Sequence, residues 1–181
     1  MASDPSARVT IHMASSADGY VSRHDEDIGW FETDDAYENG VEAEQPGPDD
    51  MPDCFVMGSR TYELAVRLGW IYGDVPTVVL TTRDLEPVRP TVEFYSGDLT
   101  ALVQDRLRKT YRNIWMAGGA NVAAEFVRLG LADDLRMSVL PIILGDGLPF
   151  YDKLDRHYPL HLKDAKALKN GVVSLWYEIR K

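Results

Sequence analysis

The chain has 181 residues, 45% of them hydrophobic and 27% charged, with 19 Lys and Arg against 29 Asp and Glu for a net charge of −10. That length and mix suit one folded domain burying its own core and exclude a disordered chain. No Lys/Arg stripe invites nucleic acid, no apolar run of eighteen residues invites a membrane, and a lone cysteine leaves no partner for a disulfide.

The opening residues Met1 to Arg8 lack the apolar stretch of a signal peptide, so the expectation is a soluble, cytoplasmic protein. Arg8 to Ala14 is a β-branched, apolar run that breaks into Ser15-Ser16-Ala17-Asp18-Gly19, which predicts a first strand and a glycine turn. Behind Trp30 and Phe31, Thr33 or Asp34 can act as an N-cap and acidic residues follow, which predicts a short helix. Gln45 to Asp53, rich in Pro and Asp, predicts a surface loop.

Cys54 to Met57 predicts a buried strand in which the thiol is inert, closing on Gly58-Ser59-Arg60-Thr61 and a helix carrying Tyr62, Ala65 and Val66. Thr77 to Leu80 predicts a strand ending at Thr81-Thr82-Arg83, and Val92 to Tyr95 another, followed by a helix with Leu99, Leu102, Val103 and Leu107 on one face. Asn113 to Ala117 predicts a strand opening on Gly118-Gly119-Ala120-Asn121, and the helix Val122 to Leu129 stops at Gly130. Leu135 to Leu144 predicts a long strand interrupted by Pro141. The alternation of Val173, Leu175, Tyr177 and Ile179 predicts a half-buried last strand in an antiparallel pair at the C-terminus. Strands separated by helices predict an α/β fold with a mostly parallel sheet, which binds ligands at the carboxyl ends of its strands.

The clusters at those ends have the chemistry of anion sites. Gly58-Ser59-Arg60-Thr61 combines a close backbone, hydroxyls, a guanidinium and the N–H groups of a helix start; it is equally readable as an ordinary helix start with a solvated Arg. Thr81-Thr82-Arg83 repeats the offer after the next strand, which favours a phosphorylated ligand. Gly118-Gly119-Ala120-Asn121-Val122 can lie against a pyrophosphate or can be a tight turn, and it has neither Rossmann nor P-loop spacing. His12, on the same strand face as Ala14, either lines a pocket or is packed. His157 and His161 flank Pro159, which spoils helical ligand geometry, so no metal site is expected.

Taken in order, Ala14-Ser15-Ser16-Ala17-Asp18-Gly19-Tyr20-Val21, Val56-Met57-Gly58-Ser59-Arg60-Thr61-Tyr62-Glu63, Ile114-Trp115-Met116-Ala117-Gly118-Gly119, Gly130-Leu131-Ala132-Asp133-Asp134-Leu135 and Leu140-Pro141-Ile142-Ile143-Leu144-Gly145-Asp146-Gly147-Leu148-Pro149-Phe150 span nearly the whole chain. Together they resemble the dihydrofolate-reductase-like superfamily, and more narrowly the stand-alone relatives of the reductase domain of the bifunctional riboflavin-biosynthesis deaminase/reductase. The resemblance implies a single three-layer domain over residues 1–181 and NADPH as cofactor. It places Gly58, Ser59, Arg60 and Thr61 at the 2′-phosphate and pyrophosphate, Thr81 and Thr82 at the same 2′-phosphate with Arg83 in addition, and Gly118, Gly119, Ala120, Asn121 and Val122 beside the pyrophosphate. Ala14, Asp18, Gly19, Tyr20 and Val21 would line the nicotinamide. Ser59 is a departure, standing where folate reductases commonly carry a basic residue.

Trp30 lies five residues before Asp35, similar to the Trp and catalytic carboxylate of dihydrofolate reductases. This implies Asp35 as proton donor, with His12, Trp30 and Phe31 toward the substrate. The riboflavin-type relatives do not generally keep that acid, and Asp35 is equally a helix-start residue. The implied activity is hydride transfer from NADPH to a C=N or C=O bond of a small pterin-, pyrimidine- or other heterocycle-like substrate. A non-catalytic nucleotide-binding or ligand-sensing protein is the alternative. Such relatives commonly pair, so a homodimer is expected, with Trp176 on the otherwise polar face of the last strand and Tyr151, Tyr158 and Leu160 enlarging the patch; alternatively Trp176 packs under residues 152–170 of its own chain.

Overall fold

Long apolar runs in the middle strands need cover on both faces, and the two sets of alternating residues meet different helices. The computed structural model describes residues 7–25, 27–43, 47, 50–151 and 153–181; the N-terminal segment and Gln45, Pro46, Pro48 and Asp49 of the predicted loop lie outside them. Strands β1 (Arg8–Ser16), β3 (Cys54–Gly58), β4 (Thr77–Leu80), β5 (Val92–Tyr95), β6 (Asn113–Met116) and β7 (Asp134–Leu140) join β9 (Leu160–Ala167) and β10 (Val173–Ile179) in one sheet ordered β5-β4-β3-β6-β1-β7-β10-β9. The strands from β5 to β7 run parallel, and β10 and β9 add antiparallel. A separate two-stranded ribbon pairs β2 (Tyr20–Ser22) with β8 (Leu148–Pro149).

On one face Val9, Ile11, Cys54, Val56, Ile114, Met116 and Leu135 pack with Leu102, Val103 and Leu107 of α2 (residues 99–110) and with Ala123, Phe126 and Val127 of α3 (Ala120–Arg128). On the other, Phe55, Met57 and Val79 pack with Tyr62 and Ala65 of α1 (Ser59–Arg67) and with Trp70. Helices therefore cover both faces of a mostly parallel sheet that ends in an antiparallel C-terminal pair. Cys54 is fully buried, and burial pushes its thiol up to about 12, so it is a core side chain.

Three elements differ from the sequence reading. No helix follows Trp30: Gly29–Phe31 makes one 3-10 turn, and the chain beyond bonds outward, Tyr37 N–H to the Lys169 carbonyl at 2.8 Å and Val41 N–H to that of Ala167 at 2.9 Å. Those carbonyls capture the N–H groups a helix would have used. The strand predicted to Leu144 ends at Leu140, because Pro141 cannot donate into the ladder. Residues 160–167, read within a connection, form edge strand β9, every residue of it exposed.

Trp176 is half-buried rather than bare. Its Nε1–H donates to Asp134 at 3.1 Å, and Arg136 and Lys163 stand 4.2 and 4.3 Å from its ring. Lys163 comes from the 152–170 connection, so part of that segment does cover the Trp. Tyr151 and Tyr158 pack against the main core instead of enlarging a patch, while Leu160 and Leu162 are 43% and 50% exposed.

A polar staple ties α2 and the chain end to this sheet. Arg108, buried, donates to the carbonyls of Ala7 and Leu131 and to Asp133 at 2.6 to 2.9 Å, and Asp133 also accepts from Val9 N–H at 2.9 Å and Lys181 at 2.8 Å. Burial works to raise the Asp133 pKa, but Lys181, Val9 N–H and Arg108 outweigh it and hold the carboxyl below its ordinary range. A depressed folded pKa adds stability above the unfolded value, near pH 4, that fades as pH falls through the folded one. We expect Asp133→Asn to cost about 1.5 to 3 kcal/mol at pH 7 by urea denaturation, with the gap from the unmodified chain narrowing below about pH 4. A gap independent of pH contradicts this account of the staple.

Candidate functional site

The parallel strands β3 and β6 end side by side, where Gly58 N–H donates to the Gly118 carbonyl and Ala117 N–H to the Val56 carbonyl, both at 2.9 Å. From these ends α1 starts behind Gly58 and α3 behind Gly119, and neither start has a side-chain cap. The free N–H groups of both first turns therefore offer donors, and a positive dipole end, to an anion. Space is kept by glycine: a Cβ on Gly58 would sit 3.3 Å from the Val122 side chain and one on Gly118 3.0 Å from Thr61 Oγ1. The Gly118-Gly119 peptide bond is cis.

These strand ends open into a cleft of about 950 Å³ that continues down one face of the sheet. Its lining includes His12, Ala14, Val21, Phe31, Gly58, Ser59, Arg60, Thr61, Gly118, Gly119, Ala120, Asn121 and Val122, so the structure brings together most of the residues singled out in sequence. His12 stacks on Trp115, ring centroids 4.3 Å apart, and burial together with the nearby charge of Arg136 lowers its pKa to about 4, which leaves the imidazole neutral.

Other residues singled out stand outside this lining. Asp18 is a clamp: its carboxylate accepts from Ser16 Oγ at 2.6 Å and from Leu144 and Gly145 N–H at 3.1 and 2.8 Å, joining the turn after β1 to the 141–147 loop. Gly19 makes that turn at φ +88°, and Tyr20 starts β2. Arg83 is held in a two-pronged pair by Glu63 at 2.9 and 2.5 Å, its own N–H bonds Thr81 Oγ1 at 3.0 Å, and Thr82 is exposed beside it. Trp30 is buried against Leu140 and Val172 with Nε1–H on the Asp27 carbonyl, so Phe31 and Ile28 face the cleft in its place. Asp35 is exposed and lies against the Gly171 turn, because Thr33 bonds the Asn170 carbonyl and receives the Asp35 N–H. That tether draws the segment toward the β9–β10 turn, away from the cleft.

The sequence reading missed Phe55, Tyr72, Trp115, Leu64, Leu68, Ile71, Leu148 and Pro149 of the lining. The spacing of Thr61, Leu64 and Leu68 marks one helical stripe and could have signalled the α1 side, while Ile71 lies in the turn beyond the helix. Phe55 and Trp115 sit in runs buried on both faces, where alternation carries no signal. Among the described residues no group of three or more His, Cys, Asp or Glu side chains could hold a metal ion, and no helix is long and apolar enough to cross a membrane.

Comparison with known proteins bears on this geometry. A family model described as the RibD C-terminal domain matches residues 41–174. The uncharacterised protein YwjB of Bacillus subtilis is 26% identical over 172 residues, covering 91% of this chain and 94% of its own. A Shewanella sp. PV-4 protein provisionally assigned to riboflavin biosynthesis superposes with a TM-score of 0.81 at 20% identity, over 96% of this chain and 99% of its own. The Thermotoga maritima diaminohydroxyphosphoribosylaminopyrimidine deaminase/5-amino-6-(5-phosphoribosylamino)uracil reductase superposes at 0.65 with 16% identity, over 96% of this chain but 57% of its own. The structural likenesses show the shared fold.

The close approach at the paired glycines has a measurable consequence. Gly118 holds φ +132° with Thr61 against it, whereas Gly19 holds φ +88° with nothing within 4 Å of an added Cβ. Gly118→Ala should destabilise by at least about 2 kcal/mol and Gly19→Ala by about 1 to 2 kcal/mol in chemical denaturation. A smaller loss at Gly118 than at Gly19 would deny the Thr61 contact.

Proposed function

The chain belongs to the RibD C-terminal domain family, a reductase-like domain, and from that premise we propose that its 181 residues act as one NADPH-dependent reductase of a small heterocyclic substrate. The observation that carries the reading is the pair of uncapped helix starts, with Arg60, at adjacent strand ends above a cleft large enough for two ligands side by side. When bound, NADPH supplies a hydride to the carbon of a C=N or C=O bond. The residues fit such a cofactor: N–H groups at Ser59 to Thr61 and Ala120 to Val122 would meet its phosphates, and Gly58 and Gly118 would let a pyrophosphate approach the backbone. Ala14 and Val21 would flank the nicotinamide, with the Asp18 clamp and the Gly19–Tyr20 turn holding Val21 in place.

Arg60 stands in the lining for the 2′-phosphate. Arg83, with Thr81 and Thr82 beside it, would have to leave Glu63 to reach that group. The pair it breaks is exposed, where solvent screens the attraction. Among the described lining residues there is no carboxyl group, so the proton that balances the hydride is drawn from solvent and Asp35 has no part in the step. The same lack of an acid favours, as second reading, a nucleotide-binding protein without turnover; substrate-dependent NADPH oxidation separates the two. We also propose a homodimer formed through exposed edge strand β9, whose Leu160 and Leu162 give the edge an apolar contact surface.

Three measurements test this reading. Calorimetry should show tighter binding of NADPH than NADH, with Arg60→Ala weakening NADPH selectively by about 1.5 to 3 kcal/mol; equal affinities in the unmodified chain contradict the assignment. Single-turnover hydride transfer should be the same in Asp35→Asn across pH, and a slowed, pH-shifted rate would return the acid to the reaction. Light scattering should give twice the chain mass at micromolar concentration, and Leu162→Lys should halve it, whereas a monomer mass in the unmodified chain removes the dimer.

A further inference from the structure

The cleft has two chemically different halves. At the strand ends it is backbone N–H, hydroxyl and Arg60. One turn of strand lower, over the sheet face, its walls are aromatic: Phe55 meets Tyr72 at 4.7 Å and Trp115 at 6.3 Å, both edge-on, and Trp115 stacks on His12. Leu64, Leu68 and Ile71 close the outer side, and Leu68 and Ile71 are 49% and 66% exposed, far more than core residues would be.

Within this lower half, two polar groups lack partners. Neither the His12 ring nor the Tyr72 hydroxyl makes a hydrogen bond to another described residue, and both side chains are half-buried. Half-buried donors and acceptors left unmatched in an aromatic cavity are what a heteroaromatic ligand edge would satisfy. Both groups are uncharged at neutral pH, since burial raises the Tyr72 pKa and lowers that of His12.

Ions are missing from the same walls. Arg60 is the one formally charged residue among the described lining, and it stands at the strand ends. The nearest cation is Arg136, the cross-strand neighbour of His12 on the same face of the sheet, 5.9 Å from the Trp115 ring. It also lies 4.2 Å from the Trp176 ring and bonds Asp50 at 3.2 Å, so two rings and a carboxylate already share its charge. A carboxylate or phosphate placed beside His12 would lose its water and gain a counter-ion only by drawing Arg136 from those contacts, in a protein of net charge −10.

We propose that the lower half takes an uncharged, flat heteroaromatic substrate, stacked among Phe55, Trp115 and Tyr72, with His12 and the Tyr72 hydroxyl as its polar contacts, and that it rejects phosphate-bearing substrates. This rests on the reductase reading for the division of the cleft between cofactor and substrate. His12 and Tyr72 are then specificity-determining residues. The Thermotoga relative, by contrast, is named for a phosphoribosyl substrate.

The test titrates quinazoline-2,4-dione, an uncharged flat bicycle with N–H and C=O edges, and its 7-carboxylate into the full chain by calorimetry, with and without NADPH. The dione should bind at least about ten-fold tighter than the carboxylate, with the same ratio at low and high salt. Tyr72→Phe and His12→Leu should each weaken the dione by about five- to ten-fold while NADPH binding stays within about two-fold. If His12→Leu does not fold, Tyr72→Phe, which removes one hydroxyl, decides the polar-contact claim. Carboxylate binding equal to or tighter than the dione, no binding of the dione, or an unchanged dione affinity in Tyr72→Phe would overturn the proposal. Failure of NADPH to bind while the dione still does would sink the reductase reading and leave this one standing.

Discussion

Two backbone hydrogen bonds, Gly58 N–H to the Gly118 carbonyl and Ala117 N–H to the Val56 carbonyl, fix the ends of β3 and β6 at one level. Everything in the candidate site follows from that levelling. Because both strands stop together, α1 and α3 begin side by side and their unsatisfied N–H groups converge on one space. Side chains would fill that space, and glycine at 58 and 118 keeps it open, with Val122 and Thr61 pressed against the positions where a Cβ would stand. The rest of the sheet serves to hold these ends: buried Val56, Ile114 and Met116 on one face and Met57 on the other leave the strands no freedom to shift.

Charge is distributed with equal economy. The chain carries 29 acidic residues, yet none of the described ones lines the cleft. Those nearest the sheet are spent on structure: Asp18 clamps the loops that bring β2 and β8 together, Asp133 joins Arg108 to Lys181, and Asp134, almost fully buried, accepts from Arg8 at 2.5 Å and from Trp176. An anionic ligand at the strand ends thus meets Arg60 and two helix dipoles with no competing carboxylate in the wall, while Glu63 holds Arg83 just outside.

Much of this was legible in the sequence, for reasons that can be named. Gly58-Ser59-Arg60-Thr61 and Gly118-Gly119 stand out because glycine directly after a buried strand is a backbone requirement, written in residue identity. Of the six parallel strands, β3 and β4 announce themselves as nearly unbroken apolar runs. Strand β9 does not, since Leu160–Ala167 mixes Lys, Asp and Ala, and an edge strand exposed along its whole length has no alternation to display. The helix expected after Trp30 fails because the acidic first turn that favours it competes with carbonyls of the β9–β10 turn, a partner more than a hundred residues away. Asp35 goes with that segment, so the Trp-to-acid spacing misled once the backbone between them took another path. The aromatic half was hidden for the opposite reason: Phe55 and Trp115 look like core, and only the pairing of β3 with β6 sets them beside Tyr72 and His12.

The central claim is that the converging helix starts hold the cofactor's phosphates, and amide hydrogen exchange with and without NADPH tests it most directly. The account predicts that NADPH slows exchange at the amides of 59–61 and 120–122, which have no side-chain cap, and leaves the edge strand β9 unchanged. Unaltered exchange at both helix starts in the presence of saturating NADPH would contradict it.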